Sequence, residues 1–191
     1  MTKNIMIVGV GGQGTLLASK ILGSVLMYCD YDVKVSEVHG MSQRGGSVVT
    51  YVRYGKEAFS PIVSEGEADL ILSFEQLETA RWLPFLKTGG KIISSTQTIN
   101  PMPVITGAAK YPKEILEKIK DKQVEIISID ALKLALEAGN AKAVNVVLIG
   151  LLASKMDIEK DLFLKALEDN VPQKFLSLNK KAFELGFTAN K

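Results

Sequence analysis

The feature that most constrains this chain is a junction near its start. "NIMIVGV", Asn4 to Val10, is a short β-rich run that passes directly into "GVGGQG", Gly9 to Gly14. Its apolar residues are consecutive rather than alternate, which predicts a strand buried on both faces. "QGTLLASKILGSVLMYC", Gln13 to Cys29, then carries Leu17, Ile21, Val25 and Cys29 at four-residue steps, with Leu22 and Leu26 widening the stripe. That spacing makes an amphipathic helix. A doubly buried strand that turns through glycines into a one-sided helix requires covered sheet faces, so the chain is expected to be α/β.

The rest of the sequence extends this start. "YDVKVSEV", Tyr31 to Val38, alternates around Val33, Val35 and Val38, and "SVVTYVRYG", Ser47 to Gly55, is β-branched and aromatic; both read as strands. The connection between them is too short for a crossover helix. They are antiparallel neighbours, or the second leaves the parallel sheet. "ADLILSF" is a buried strand, followed by the helix "EQLETARWLPFL", which Pro84 ends or kinks. "TGGKIISS" is a turn and a strand. The proline-rich "TINPMPVITGAAKYP" is irregular, with a short strand expected at Pro103 to Thr106. "KEILEKIKD" is a helix with Ile115 and Ile119 on one face and Glu114/Lys118 as an i, i+4 pair. After the strand "QVEIISID", Asp130 caps a helix that stops at Gly139. From Asn140 only helices are expected: apolar "AKAVNVVLIGLLASKM", then "IEKDLFLKALEDN" with Asp157 placed to cap it, then a last helix opened by Pro172. The order predicts an α/β three-layer sandwich, Rossmann-like, with a mostly parallel sheet and C-terminal helices. With 191 residues and neither repeat nor linker, residues 1–191 read as a single domain.

Composition narrows the function. Apolar residues at 47% allow a sizeable core, and a net charge of +2 argues for neither nucleic acid nor an anionic membrane as partner. The longest late apolar run, Ala143 to Ala153, is too short to span a bilayer and contains Asn145. No signal peptide is visible, so a soluble, reducing, cytoplasmic setting is expected. Cys29 is the one cysteine, which rules out an internal disulfide, a four-thiolate zinc site and an iron–sulfur cluster on this chain.

Two stretches carry chemistry. Gly9, Gly11 and Gly14 fit G-x-G-x-x-G between a strand and a helix, where glycines admit a tight turn and the helix start offers N–H groups to a phosphate. Glu37, 23 residues after Gly14, stands near where an NAD-binding fold keeps its ribose-binding acid. An NAD(P)-dependent oxidoreductase is therefore one reading, and glycines that serve packing alone are another. The second stretch, "SEVHGMSQRGGSV", Ser36 to Val48, sets Glu37, His39, Ser42, Gln43, Arg44 and Ser47 among Gly40, Gly45 and Gly46. A plain nucleotide fold does not need it. Arg44 suits a two-pronged contact with phosphate or carboxylate. The glycines allow close approach of a ligand or partner. One His, one Cys and scattered acids make no metal-ligand set. The chain also lacks the G-x-S-x-G elbow of a serine hydrolase.

At this spacing the two stretches together resemble the gamma domain of the 2-oxoacid:ferredoxin oxidoreductases, and among them the indolepyruvate members. The likeness runs from Met1 to about Phe187. It includes "SPIVSEGEADLILSFEQLETARWLPFL", Ser60 to Leu86, and the late apolar "NVVLIGLL", Asn145 to Leu152. The resemblance implies a subunit of an enzyme that oxidatively decarboxylates a 2-oxoacid, here an aryl pyruvate, to its coenzyme A ester, with electrons passing to ferredoxin. It places thiamine diphosphate, magnesium and the iron–sulfur clusters on a larger alpha subunit, with coenzyme A as co-substrate. That agrees with the single cysteine: this chain cannot run such a reaction alone. By the same resemblance Gly9, Gly11, Gly12, Gln13 and Gly14 are the cofactor-side loop, a receptor for a phosphate-bearing ligand such as coenzyme A. Glu37, His39, Gly40, Ser42, Gln43, Arg44 and Gly45 form the loop that faces the partner's thiamine site or the substrate. His39 and Arg44 are the catalytic candidates, and no general acid or base is assigned. A non-catalytic phosphate-binding or interaction module is the third reading.

Overall fold

The computed structural model describes residues 2–40 and 45–190, and at His39 the backbone alone. Six strands form one sheet: β1 (Lys3–Val10), β2 (Asp32–His39), β3 (Ser47–Gly55), β4 (Ala68–Ser73), β5 (Leu86–Ser95) and β6 (Glu125–Ile129), in the order β2-β3-β1-β4-β5-β6. The pairs β1–β4, β4–β5 and β5–β6 are parallel. β3 runs antiparallel to both its neighbours, β1 and β2. The short β2–β3 connection thus has the consequence expected of it, with one addition: the returning strand inserts between β2 and β1. The sheet is mixed within a three-layer α/β fold.

The helices are α1 (Thr15–Tyr28), α2 (Gln76–Trp82), α3 (Met102–Ile105), α4 (Ile115–Lys120), α5 (Ala131–Ala138), α6 (Val144–Ala153), α7 (Lys160–Asn170) and α8 (Gln173–Thr188). β1 is buried from Asn4 onward, and its side chains divide between two cores. Ile5 and Ile7 join the buried stripe of α1 (Ala18, Ile21, Leu22, Val25, Leu26) and the helices of the C-terminal part. Met6 and Val8 pack on the other face with Ile115 and Ile119 of α4 and Leu77 and Ala80 of α2. Every residue of α6 is buried, as its unbroken apolar run requires. Among the described residues no helix is long and apolar enough to cross a membrane.

Local chemistry explains where the elements begin and end. Asp130 accepts from the Lys133 amide and starts α5, and Gly139 ends it at φ +122°. Pro84 turns the end of α2 into a 3-10 turn over Leu83–Phe85. Pro172 caps α8.

Three expectations are corrected. Met102–Ile105 is a short helix, not a strand at Pro103 to Thr106: Pro101 is its extended N-cap, and Pro103 sits in the first turn, where the missing N–H costs nothing. α7 is capped by Glu159 rather than Asp157 and has no side-chain cap bond; Ile158 first packs against the core, and the helix begins only after it. Glu114 takes a left-handed N-cap conformation, and Lys118 donates to the Lys113 carbonyl instead of pairing with Glu114.

Candidate functional site

β1 and β4 are neighbours at the point where the chain order of the sheet reverses, and their carboxyl ends are the usual place for a ligand in an open α/β sheet. The glycine turn sits there. Gly12 and Gly14 take φ of +103° and +83°, left-handed values that a side chain resists. Gly14 is the N-cap of α1 and provides no side-chain cap for its first turn.

The turn is clasped to the second stretch. Gly11 N–H donates to the Gly46 carbonyl at 2.8 Å, and Gly45 N–H donates to the Gly11 carbonyl at 3.2 Å. These bonds continue the β1–β3 ladder, in which Val10 opposes Ser47, past the end of both strands. On the other side His39 opposes Val48. The fold therefore brings Gly9–Gly14 together with Gly45, Gly46 and the end of β2. Gly40 is exposed beyond that end. Ser42, Gln43, Arg44 and the His39 side chain lie outside the described residues.

The Gln13 carboxamide is bonded within the fold. Its Oε1 accepts from the Val10 amide at 2.8 Å, and its Nε2 donates to the Phe74 carbonyl and to Gln97 Oε1, both at 3.1 Å. One carboxamide thus ties the ends of β1 and β4 to the segment after β5. Gly9 makes room for it: a Cβ there would meet Gln13 Oε1 at 2.9 Å and Phe74 Cβ at 3.0 Å. On the other side of the turn, Asn145 of α6 donates to the Gly14 carbonyl at 3.2 Å.

Two concavities flank the turn. One, of about 370 Å³, is lined by Gly12, Gln13, Gly14, Gln97, Leu132 and Lys142. The other, of about 420 Å³, joins Gly11, Gly12, Gly14 and Thr15 to Glu37 and Val48. Lys142 lines the first beside Gly14, the N-cap of α1, and Glu37 lines the second. The arrangement departs from a dinucleotide half-fold. With β3 between β1 and β2, Glu37 stands two strand spacings from β1, roughly 10 Å, and Gln13 fills the crevice at the β1/β4 junction. A further concavity of about 450 Å³, lined by Lys3, Tyr31, Tyr54 and Asp69, opens at the opposite edge of the sheet.

Several residues of this edge escaped the reading of the sequence: Gln97, Lys142, Glu75 and Glu78. Glu75 and Glu78 are buried in the first turn of α2. Glu75 accepts from the Glu78 and Ile99 amides and from the Tyr111 hydroxyl. Burial and that carboxylate push the Tyr111 phenol far above its ordinary value. The one legible signal was Asn145, a lone polar residue in an apolar helix.

Known proteins resemble this chain in sequence and in fold. Residues 4–189 match the family described as Pyruvate ferredoxin/flavodoxin oxidoreductase. Indolepyruvate oxidoreductase subunit IorB of Thermococcus kodakarensis is 44% identical, over 98% of this chain and 96% of that protein. The subunit of the same name from Methanothermobacter thermautotrophicus is 37% identical, over 99% and 98%. Among solved structures, the keto/oxoacid ferredoxin oxidoreductase gamma subunit of Geobacter sulfurreducens shares the fold, with a TM-score of 0.72 at 23% identity over 97% of this chain and 96% of that one. With relatives matched from end to end, the chain belongs to the pyruvate ferredoxin/flavodoxin oxidoreductase family of oxidoreductases.

Proposed function

We propose that this chain is the small subunit of an indolepyruvate:ferredoxin oxidoreductase, working in the cytoplasm on aryl pyruvates and yielding aryl-acetyl-CoA. Full-length likeness to indolepyruvate oxidoreductase subunits supports the substrate class. The observation that supports the site is the clasp of Gly11 to Gly45 and Gly46, which sets the glycine turn beside the two residues that lead into β3.

The residues present do not fit the redox groups. Cys29 is the sole cysteine, and it closes α1 at the end away from the turn, a helix of 14 residues and roughly 20 Å distant. Burial, with Asp30 and Glu159 nearby, pushes its thiol up and away from a ligating thiolate. Thiamine diphosphate, magnesium and the clusters therefore belong to a larger alpha subunit, and electrons reach ferredoxin through it.

Its part is to bind and to position. Lys142 and the first turn of α1 would receive a phosphate of the co-substrate coenzyme A. The loop of Glu37, His39, Gly40, Ser42, Gln43, Arg44 and Gly45 would face the partner's thiamine site, with Arg44 holding the oxoacid carboxylate.

Co-purification with a large subunit from the source cell, followed by coenzyme A-dependent reduction of ferredoxin by indolepyruvate, tests this. A tight complex with turnover is expected, and Arg44→Ala should lower kcat/KM about tenfold or more with assembly intact. Recovery as a lone monomer that binds NAD tightly would overturn the reading.

A further inference from the structure

Two carboxylates on the first turn of α2 are enclosed although the binding roles above give them no task. Glu75 is 1% exposed and Glu78 is 4% exposed. A carboxylate so placed must be held by donors, because burying it otherwise costs far more than an apolar side chain would. Glu75 is the N-cap of α2, and its donors account for its presence.

Glu78 has different donors. Its Oε1 accepts from Arg81 Nε at 3.1 Å, and its Oε2 accepts from Trp82 Nε1 at 3.2 Å. Both partners belong to α2. The third donor does not: the Ser47 hydroxyl, on the first residue of β3, donates to the same Oε2. Ser47 follows directly on Gly45 and Gly46, the two residues that clasp the glycine turn. It opposes Val10 in the ladder, and the next residue, Val48, opposes His39. Both ends of the second loop are therefore registered on Ser47 and Val48. β1 holds this point from within the sheet, and Glu78 holds it from the helical layer.

We propose that Glu78 is a positioning residue which, through the Ser47 hydroxyl, fixes where Gly45 and Gly46 join the sheet relative to the glycine turn. This rests on the proposed function for its consequence in turnover. Three donors around one group require an acceptor at both oxygens, which a carboxylate supplies and a carboxamide does not. A glutamine would turn an N–H towards Arg81 or towards the Trp82–Ser47 pair, and the serine would lose its charge-assisted bond.

The test uses the complex of this chain with its large subunit. Glu78→Gln and Ser47→Ala should each lower kcat/KM for indolepyruvate about tenfold, the worth of one bond to a charged group. Ser47→Thr, which keeps the hydroxyl, should restore most of it. The double variant should be no worse than Glu78→Gln alone, because both changes break one link. Gel filtration and visible absorption should not change. Amide hydrogen exchange at residues 45–47 should quicken in Glu78→Gln, while that of β6 stays as in the wild type. The proposal is overturned if Glu78→Gln lowers Tm but leaves both kcat/KM and exchange at 45–47 unchanged. It is equally overturned if Ser47→Ala is silent while Glu78→Gln is not. Should the wild-type complex fail to turn over indolepyruvate, the functional reading fails by itself. Exchange at 45–47 in the purified protein then decides the positioning claim: quicker exchange supports it and unchanged exchange overturns it.

Discussion

Two sets of glycines in this molecule look alike in composition and differ in what crowds them. Gly9, near the end of β1, and Gly14, in the turn after it, are approached by side chains: a Cβ on Gly14 would meet Asn145 Nδ2 at 2.6 Å, and one on Gly9 would meet Gln13 Oε1 at 2.9 Å. Gly150 of α6 and Gly186 of α8 are approached by backbone: a Cβ on Gly150 would lie 2.1 Å from the Phe183 carbonyl oxygen, and one on Gly186 1.9 Å from that of Val147. A side chain can rotate away, whereas a helix backbone in a close-packed core cannot. The first set shapes a surface, and the second lets two helices cross at contact distance. The turn carries a recognisable motif. The helix crossing carries none, although it is the tighter of the two.

The largest expected effect breaks or confirms that contrast. Gly186→Ala requires α6 and α8 to separate, and should cost more than about 4 kcal/mol, enough to abolish soluble folded protein. Thermal denaturation is the check: a cooperative transition within a few degrees of wild type would show that the helices yield, and would remove the distinction.

Gln13→Ala should come next. It strips partners from the Val10 amide, the Phe74 carbonyl and Gln97 at one stroke. Water reaches the half-buried site, so the loss should be about 2–3 kcal/mol rather than the full penalty of several buried orphans. Denaturant titration measures it. A loss below about 0.5 kcal/mol would mean the cross-link between strand ends is dispensable.

The two regions were not equally legible in the sequence, and the reason is range. Strand, turn and first helix were legible because their signals are local: consecutive apolar residues in β1, four-residue spacing in α1, Asp130 and Gly139 at the ends of α5. The brevity of the link after His39 announced an antiparallel return, but a connection length cannot say on which side of β2 the returning strand pairs. Prolines misled at Pro103, because a proline in the first helical turn and one in an extended segment share the same φ. Within the site the motif glycines were legible and Asn145 stood out in its apolar helix, whereas the bonds of Gln97 to Gln13 and of Asn145 to Gly14, across 84 and 131 residues, depend on topology alone. Glu78 was hidden for the same reason: it looks like a surface acid on a short helix until β3 is placed beside it.

Alkaline pH probes the sheet edge opposite the turn. Burial first, then the charges of Tyr31, Asp69 and Cys29, push the Tyr54 phenol up to about 12. Below pH 10 the phenol is neutral in both states and its contribution is intact. As pH rises from 10 towards 12, the unfolded chain ionises where the folded one does not, so stability falls. Tyr54→Phe should flatten that part of the Tm-versus-pH curve. An identical slope in the variant would assign the alkaline loss to other groups, of which Tyr111 is the foremost.

The smallest loss of stability is expected at Gly12, and it is the most telling for function. No atom stands within 4 Å of a Cβ built there, so Gly12→Ala meets strain only from its φ of +103°. The cost should be about 1–2 kcal/mol, a fall in Tm of a few degrees for a chain of this size. Yet Gly12 lines both concavities beside the turn. If the turn receives a phosphate of coenzyme A, the added methyl group stands where the ligand must approach the backbone, and KM for coenzyme A should rise several-fold while kcat changes little. The opposite pattern, a lower Tm with KM untouched, would place Gly12 with Gly150 and Gly186 as a glycine of the fold alone. The comparison would then be between two structural devices rather than between a structural and a binding one.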